Sequence, residues 1–143
     1  MLAQRLYAGG LIGLGAAAVG IGTGIFLAGP AAVAEFCASA IGLPPGAGDA
    51  LAAPNADNEM RFYAVLWVAF GVIAIRAARS LPASLAASHL LLGLFFAGGA
   101  GRALSMSTMG APHPLFIILM WIELLASPAL YLLSLQIKRA GER

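Results

Sequence analysis

Charge is the scarcest feature of this chain: only 10% of its 143 residues are Asp, Glu, Lys or Arg. A soluble domain carries about a quarter, so too little polar surface exists here to cover a water-exposed globule. That excludes a secreted domain, a cytosolic enzyme and a nucleic-acid binder together. Cysteine is almost missing as well. The single Cys37 closes no intramolecular disulfide, and no C-x-x-C or Cys/His cluster offers a zinc or iron–sulfur centre. His89 and His113, the two histidines, fall near opposite ends of one predicted helix. At 1.5 Å per residue they stand roughly a membrane thickness apart, too far to be the facing axial ligands of a haem. Gly-rich phosphate loops, nucleophile elbows and metal motifs are absent too. The sequence therefore predicts no cofactor, no metal and no catalytic residue.

What the chain has instead is apolar length. Hydrophobic residues make up 61% of it and the mean hydropathy is +0.91. They fall in four runs, about 6–28, 58–76, 85–107 and 115–137, each close to the ~20 residues that cross a bilayer as helix. The expectation is an all-α protein, an integral membrane four-helix bundle forming one domain over 1–143, with the lipid bilayer as its first partner. The net charge of +2 does not signal an anionic polymer. Arg5, Arg76, Arg79, Lys138, Arg139 and Arg143 flank the apolar runs, where they orient helices by the positive-inside rule. They place the N-terminus and the C-terminus in the cytoplasm.

The start, Met1 to Arg5 followed by an apolar run, is built like a signal peptide, and Ala32-Val33-Ala34 offers an A-x-A cleavage site. A signal core is about 7–15 residues, however, and this run is longer, which favours a retained first helix. Gly29-Pro30 ends it. Residues 30–57 form an outer loop with an interfacial helix over Ala31 to Ile41, where Val33, Phe36, Cys37 and Ile41 fall near helical spacing. The rest, Gly42 to Asp57, is dense in Gly, Pro, Asn and Asp and contains no Lys or Arg, as a non-cytoplasmic segment should. Asp57 or Asn58 is a credible N-cap for the second span, with Glu59 in its first turn. Small residues offer the packing surfaces. Gly9, Gly13, Ala16, Gly20 and Gly24 make a stripe on the first span, and Gly93, Ala97 and Gly101 make one on the third, so these two spans are expected to pack together.

Four charges are not explained by capping or topology: Glu59, Arg61, Arg102 and Glu123. Glu59 and Arg61 sit near the outer end of the second span. Arg102 lies roughly 8 Å, and Glu123 about 12 Å, inward from the outer ends of theirs. A charge at the bilayer centre costs about 2.5–3.5 kcal/mol, which a purely structural bundle avoids by using Leu. The depths of Arg102 and Glu123 allow a cross-helix ion pair. Such a pair serves either as a ligand site or as an orienting contact. Glu59, Tyr63 and Trp67 step by four along the second span, and Ser127 follows Glu123 by four. Trp67 and Trp121 lie too deep for the interfacial aromatic belt, and Pro128 removes a backbone donor below Glu123.

Asn58-Glu59-Met60-Arg61-Phe62, Gly101-Arg102-Ala103-Leu104-Ser105, Gly110-Ala111-Pro112-His113-Pro114 and Glu123-Leu124-Leu125, in that order and spacing, resemble the family of small bacterial four-helix membrane proteins designated domain of unknown function 4345. The resemblance covers most of the chain. It implies a bacterial inner (plasma) membrane location and draws attention to Asn58, Glu59, Arg61, Arg102, Ser105 and Glu123. It implies no activity. The candidate binding residues are therefore Asn58, Glu59, Arg61, Trp67, Arg102, Ser105, Trp121 and Glu123, and the expected partner is a small amphipathic ligand. Four helices are few for a transport pathway, so transport of that ligand would need a homodimer; an accessory role in a larger membrane complex, docked through the glycine stripe, is the alternative. An enzyme using Glu123 or Glu59 as general acid/base on a lipid-like substrate is a third.

Overall fold

The computed structural model describes residues 2–141. Of the basic tail that follows the last apolar run, the side chains of Lys138 and Arg139 and the whole of Arg143 lie outside the described residues. The described chain is all helical: α1 (Leu2–Ala28), α2 (Pro30–Ala40), a 3-10 turn (Asp49–Ala52), α3 (Pro54–Arg79), α4 (Leu85–Met109) and α5 (Pro114–Gly141). All but α2 are long and apolar enough to cross a membrane, with mean hydropathies of 1.3 to 2.0 over their best windows. The bundle has a loop end, holding α2 and the connections 41–53 and 110–113, and a termini end.

Gly29, at φ +90°, breaks the chain between α1 and α2, and Pro30 opens α2 at its first turn, where a missing N–H costs nothing. A short helix is thus present where the spacing predicted one. Its Glu35 organises the loop that follows: Oε1 accepts from the backbone N–H groups of Gly46 (2.9 Å) and Gly48 (2.7 Å). Gly48 lies so close to Ala31 that a Cβ there would fall 2.6 Å from the Ala31 carbonyl oxygen.

The second long helix begins earlier than the expected Asn58. Pro54 occupies its first turn behind Ala53, and neither Asp57 nor Asn58 caps it. Proline at that position has its φ already set for helix, and the Asp57 N–H bonds to the Ala53 carbonyl. The Asp57 carboxylate is thereby left free for a different partner.

The helices pack as two antiparallel pairs, α1 with α3 and α4 with α5. In the first pair the backbones touch: a Cβ on Gly15 would stand 2.7 Å from the Gly71 carbonyl oxygen, and one on Gly22 would stand 2.8 Å from that of Ala64. The buried positions Leu11, Gly15, Ala18, Gly22 and Ile25 of α1 alternate steps of four and three. Ala64, Gly71 and Ala78 answer from α3. The expected pairing of the first and third spans through their glycine stripes does not form. Gly9, Gly13, Gly20, Gly93 and Gly101 have nothing within 4 Å of where a Cβ would sit, and Gly24 meets Val33 of α2. Helix α1 carries two small-residue stripes, and the buried one is that which faces complementary small residues on α3.

The termini end is closed by a core of Tyr7, Leu11, Ala78, Leu92 and Ile137, where the Tyr7 and Ser88 hydroxyls hydrogen-bond at 2.7 Å. At the loop end, Ala34, Ala38 and Ala47 pack on Leu115 at the start of α5. Between these two plugs the helix pairs separate.

Candidate functional site: an ion pair at the wall of an apolar cavity

The separation leaves a cavity of about 680 Å³, within the ~300–1,000 Å³ range of small-molecule sites. Leu14, Ile21 and Ile25 of α1, Val33 and Cys37 of α2, Tyr63 and Trp67 of α3, Phe95 of α4 and Leu119 of α5 form its largely apolar wall. A smaller pocket of about 280 Å³ shares Tyr63, Trp67, Phe95 and Glu123 with it and adds Leu66, Phe70 and Leu94. The aromatic rings of Phe70 and Phe95, which stack with centroids 6.2 Å apart, bridge α3 and α4 there.

Arg102 and Glu123 supply the charge. The Arg102 Nε–H donates to both carboxylate oxygens of Glu123, at 3.1 and 3.0 Å, so the cross-helix pair anticipated from depth is formed. Glu123 is 4% exposed, whereas the Arg102 side chain keeps 31% of its surface. Among the described residues none accepts a hydrogen bond from Arg102 Nη1 or Nη2, and Arg102 borders the cavity. Four N–H groups of a planar fork are therefore available at the cavity wall.

Glycine makes this burial possible. One turn before Arg102 on the same face of α4, a Cβ on Gly99 would lie 2.9 Å from Glu123 Cβ, and one on Gly98 would lie 3.6 Å from Oε2. Neither glycine was singled out from the sequence. The signal that could have found them is the run Gly98-Gly99-Ala100-Gly101 inside a membrane helix, next to the one arginine in that helix.

The predicted residues divide. Trp67, Arg102, Ser105 and Glu123 border the cavity. Trp121 does not: it is 53% exposed, because two residues along a helix turn it about 200° from Glu123. Asn58 and Glu59 are exposed and border neither pocket; it is Met60, with Tyr63 and Trp67, that faces the cavity. Arg61 also stands apart from the Glu123 site. Its Nε donates to Asp57 at 2.8 Å, and its Nη1 donates to the Phe26 carbonyl at 2.6 Å. It thus latches the start of α3 to the last carbonyls of α1, where a cation is favoured. The four unexplained charges therefore do not form one cluster: Arg102 and Glu123 pair with each other, Arg61 pairs with Asp57, and Glu59 is exposed.

Further along α5, Ser127 is buried with its hydroxyl unpaired among the described residues, but it does not border the cavity. Ser134 is bonded to His89 at 2.7 Å. His113 bonds the Pro44 carbonyl at the opposite end of α4.

The family model for domain of unknown function DUF4345 matches residues 6–134. The chain belongs to this family. The match takes in α1 through most of α5, and so both sides of the Arg102–Glu123 pair. No curated protein and no solved structure matches the chain.

Proposed function

We propose that this DUF4345 protein is a non-enzymatic binding module of the bacterial inner membrane that takes up a small amphipathic ligand, and in an oligomer passes it on, through the cavity at Arg102 and Glu123. The observation that carries this reading is a buried carboxylate paired to a half-free guanidinium at the wall of a cavity otherwise lined by apolar side chains. Ion pairs that only orient helices do not need such a cavity, and apolar gaps that are only packing faults do not need charge. In this reading both termini are cytoplasmic, because Arg5, Arg76 and Arg79 lie at the termini end, and the loop end with the cavity faces outward.

Native mass spectrometry of protein gently extracted from its own membrane, beside Glu123→Gln, tests this. A defined small mass on the wild type that is missing from the folded variant is the expected result. No bound mass on the wild type overturns it.

A second reading has its own observation. Gly9, Gly13 and Gly20 are exposed along α1 with no neighbour near, as on a helix whose small-residue face docks a further membrane protein. An accessory subunit of this kind would lose a co-purifying partner on Gly13→Leu, and retention of every partner would exclude it.

A further inference from the structure

The chemistry of the ligand head follows from the charge balance of the cavity, an inference that rests on the binding reading above. Of the residues bordering the larger cavity only Arg102 and Glu123 carry charge at neutral pH, and they are of opposite sign; Tyr63, Cys37 and Ser105 are the neutral polar groups. The site is therefore dipolar with a net charge of zero. A head bearing a net charge would leave one unit uncompensated among apolar walls, which is costly at membrane depth. An uncharged head escapes that cost and still finds both kinds of partner: N–H donors on Arg102 Nη1 and Nη2, and acceptor lone pairs on a carboxylate that, among the described residues, receives only the Arg102 Nε–H.

We propose that the cavity selects an uncharged, hydroxyl-bearing amphiphile: a single apolar body along Trp67 and Phe95, with a head that accepts from Arg102 and donates to Glu123. The selectivity resides in the pair and not in the walls, so removing one partner reverses it in a defined direction. Arg102→Gln leaves the site negative and turns its preference to a cationic head. Glu123→Gln leaves it positive and turns it to an anionic head. The double variant is again neutral and returns to the hydroxyl head.

The chain has two tryptophans, one bordering the cavity and the other, Trp121, on an exposed face, so Trp121→Phe leaves Trp67 as a reporter inside the site. This protein, in zwitterionic bilayers, is titrated with 11-bromoundecanol, 11-bromoundecyl sulfate and 11-bromoundecyl-trimethylammonium, whose bromine quenches tryptophan on contact. The membrane-bound concentration of each is measured separately. The expected result is saturable quenching, competed by plain undecanol, with the alcohol effective at roughly one-hundredth the membrane concentration of either charged probe, as the burial of one unpaired charge implies. The opposite shifts in the two single variants follow.

Saturable quenching in which the sulfate or the ammonium probe outranks the alcohol on the wild type overturns the inference, whether or not the variants fold. So does a head preference that both single variants leave unchanged. Quenching that never saturates with any of the three heads overturns instead the binding reading itself.

Discussion

Gly99 and Glu123 meet with no room for a β-carbon on the glycine: an added Cβ would stand 2.9 Å from Glu123 Cβ and 3.0 Å from Leu124 Cγ. Neither neighbour is the free tip of a long side chain, so both helices must move to admit one. Gly99→Ala is expected to destabilise by about 1–3 kcal/mol, as overpacking does. At Gly93 and Gly101 an added Cβ meets open space. There Ala should be neutral or stabilising by roughly 0.5–1 kcal/mol, the helix penalty of glycine. Thermal unfolding of the three variants in one detergent checks the contrast.

The ion pair is asymmetric, with Glu123 buried and Arg102 a third exposed. Arg102→Gln strands a carboxylate that cannot reach water, whereas Glu123→Gln leaves a guanidinium able to swing toward the opening of the site. The first variant should lose about 1–3 kcal/mol and the second less, short of the 3–5 kcal/mol of a fully buried pair. The double variant should recover much of the Arg102→Gln loss. A double-mutant cycle on unfolding free energies measures this. Equal losses in the two single variants would mean that Glu123 is not confined as its burial indicates.

Arg61 shows how far sequence reasoning reached and where it stopped. Hydropathy and length located the four helices that are long and apolar enough to cross a membrane, because such helices are set by local composition, and the break at Gly29-Pro30 was legible for the same reason. Depth along the helix axis also placed Arg102 against Glu123, since rise per residue is fixed. Azimuth between helices is not fixed by one helix alone. Arg61 has a depth similar to other outer charges, yet it turns to Asp57 and the carbonyls ending α1. That choice became possible only because Pro54 started α3 early and left Asp57 uncommitted as a cap. The two glycine stripes of α1 present the same difficulty. Both have membrane-packing spacing, and only Gly71 and Ala64 on the partner decide which is buried.

Arg61→Gln is therefore expected to loosen the junction of α1, α2 and α3 without disturbing the Arg102–Glu123 pair. Hydrogen exchange should rise at Gly29 and in the last turn of α1, while the α4–α5 amides near Glu123 keep their protection. Increased exchange around Glu123 in this variant would join the two charge arrangements that the structure keeps separate.

Cys37 gives a readout of orientation and of occupancy in one residue. It is the only cysteine, it is partly exposed, and it borders the cavity from α2. If the loop end faces outward, a membrane-impermeant maleimide added to intact spheroplasts should label Cys37 as fully as in lysed membranes; labelling only after lysis would invert the topology. Undecanol should then slow the labelling if it fills the space beside the thiol. The control is Ser39→Cys in a Cys37→Ser background, on an exposed position of the same helix, where undecanol should leave the rate unchanged. Slowing at both positions would indicate a general effect on the membrane surface, and slowing at Cys37 alone would place the amphiphile in the cavity.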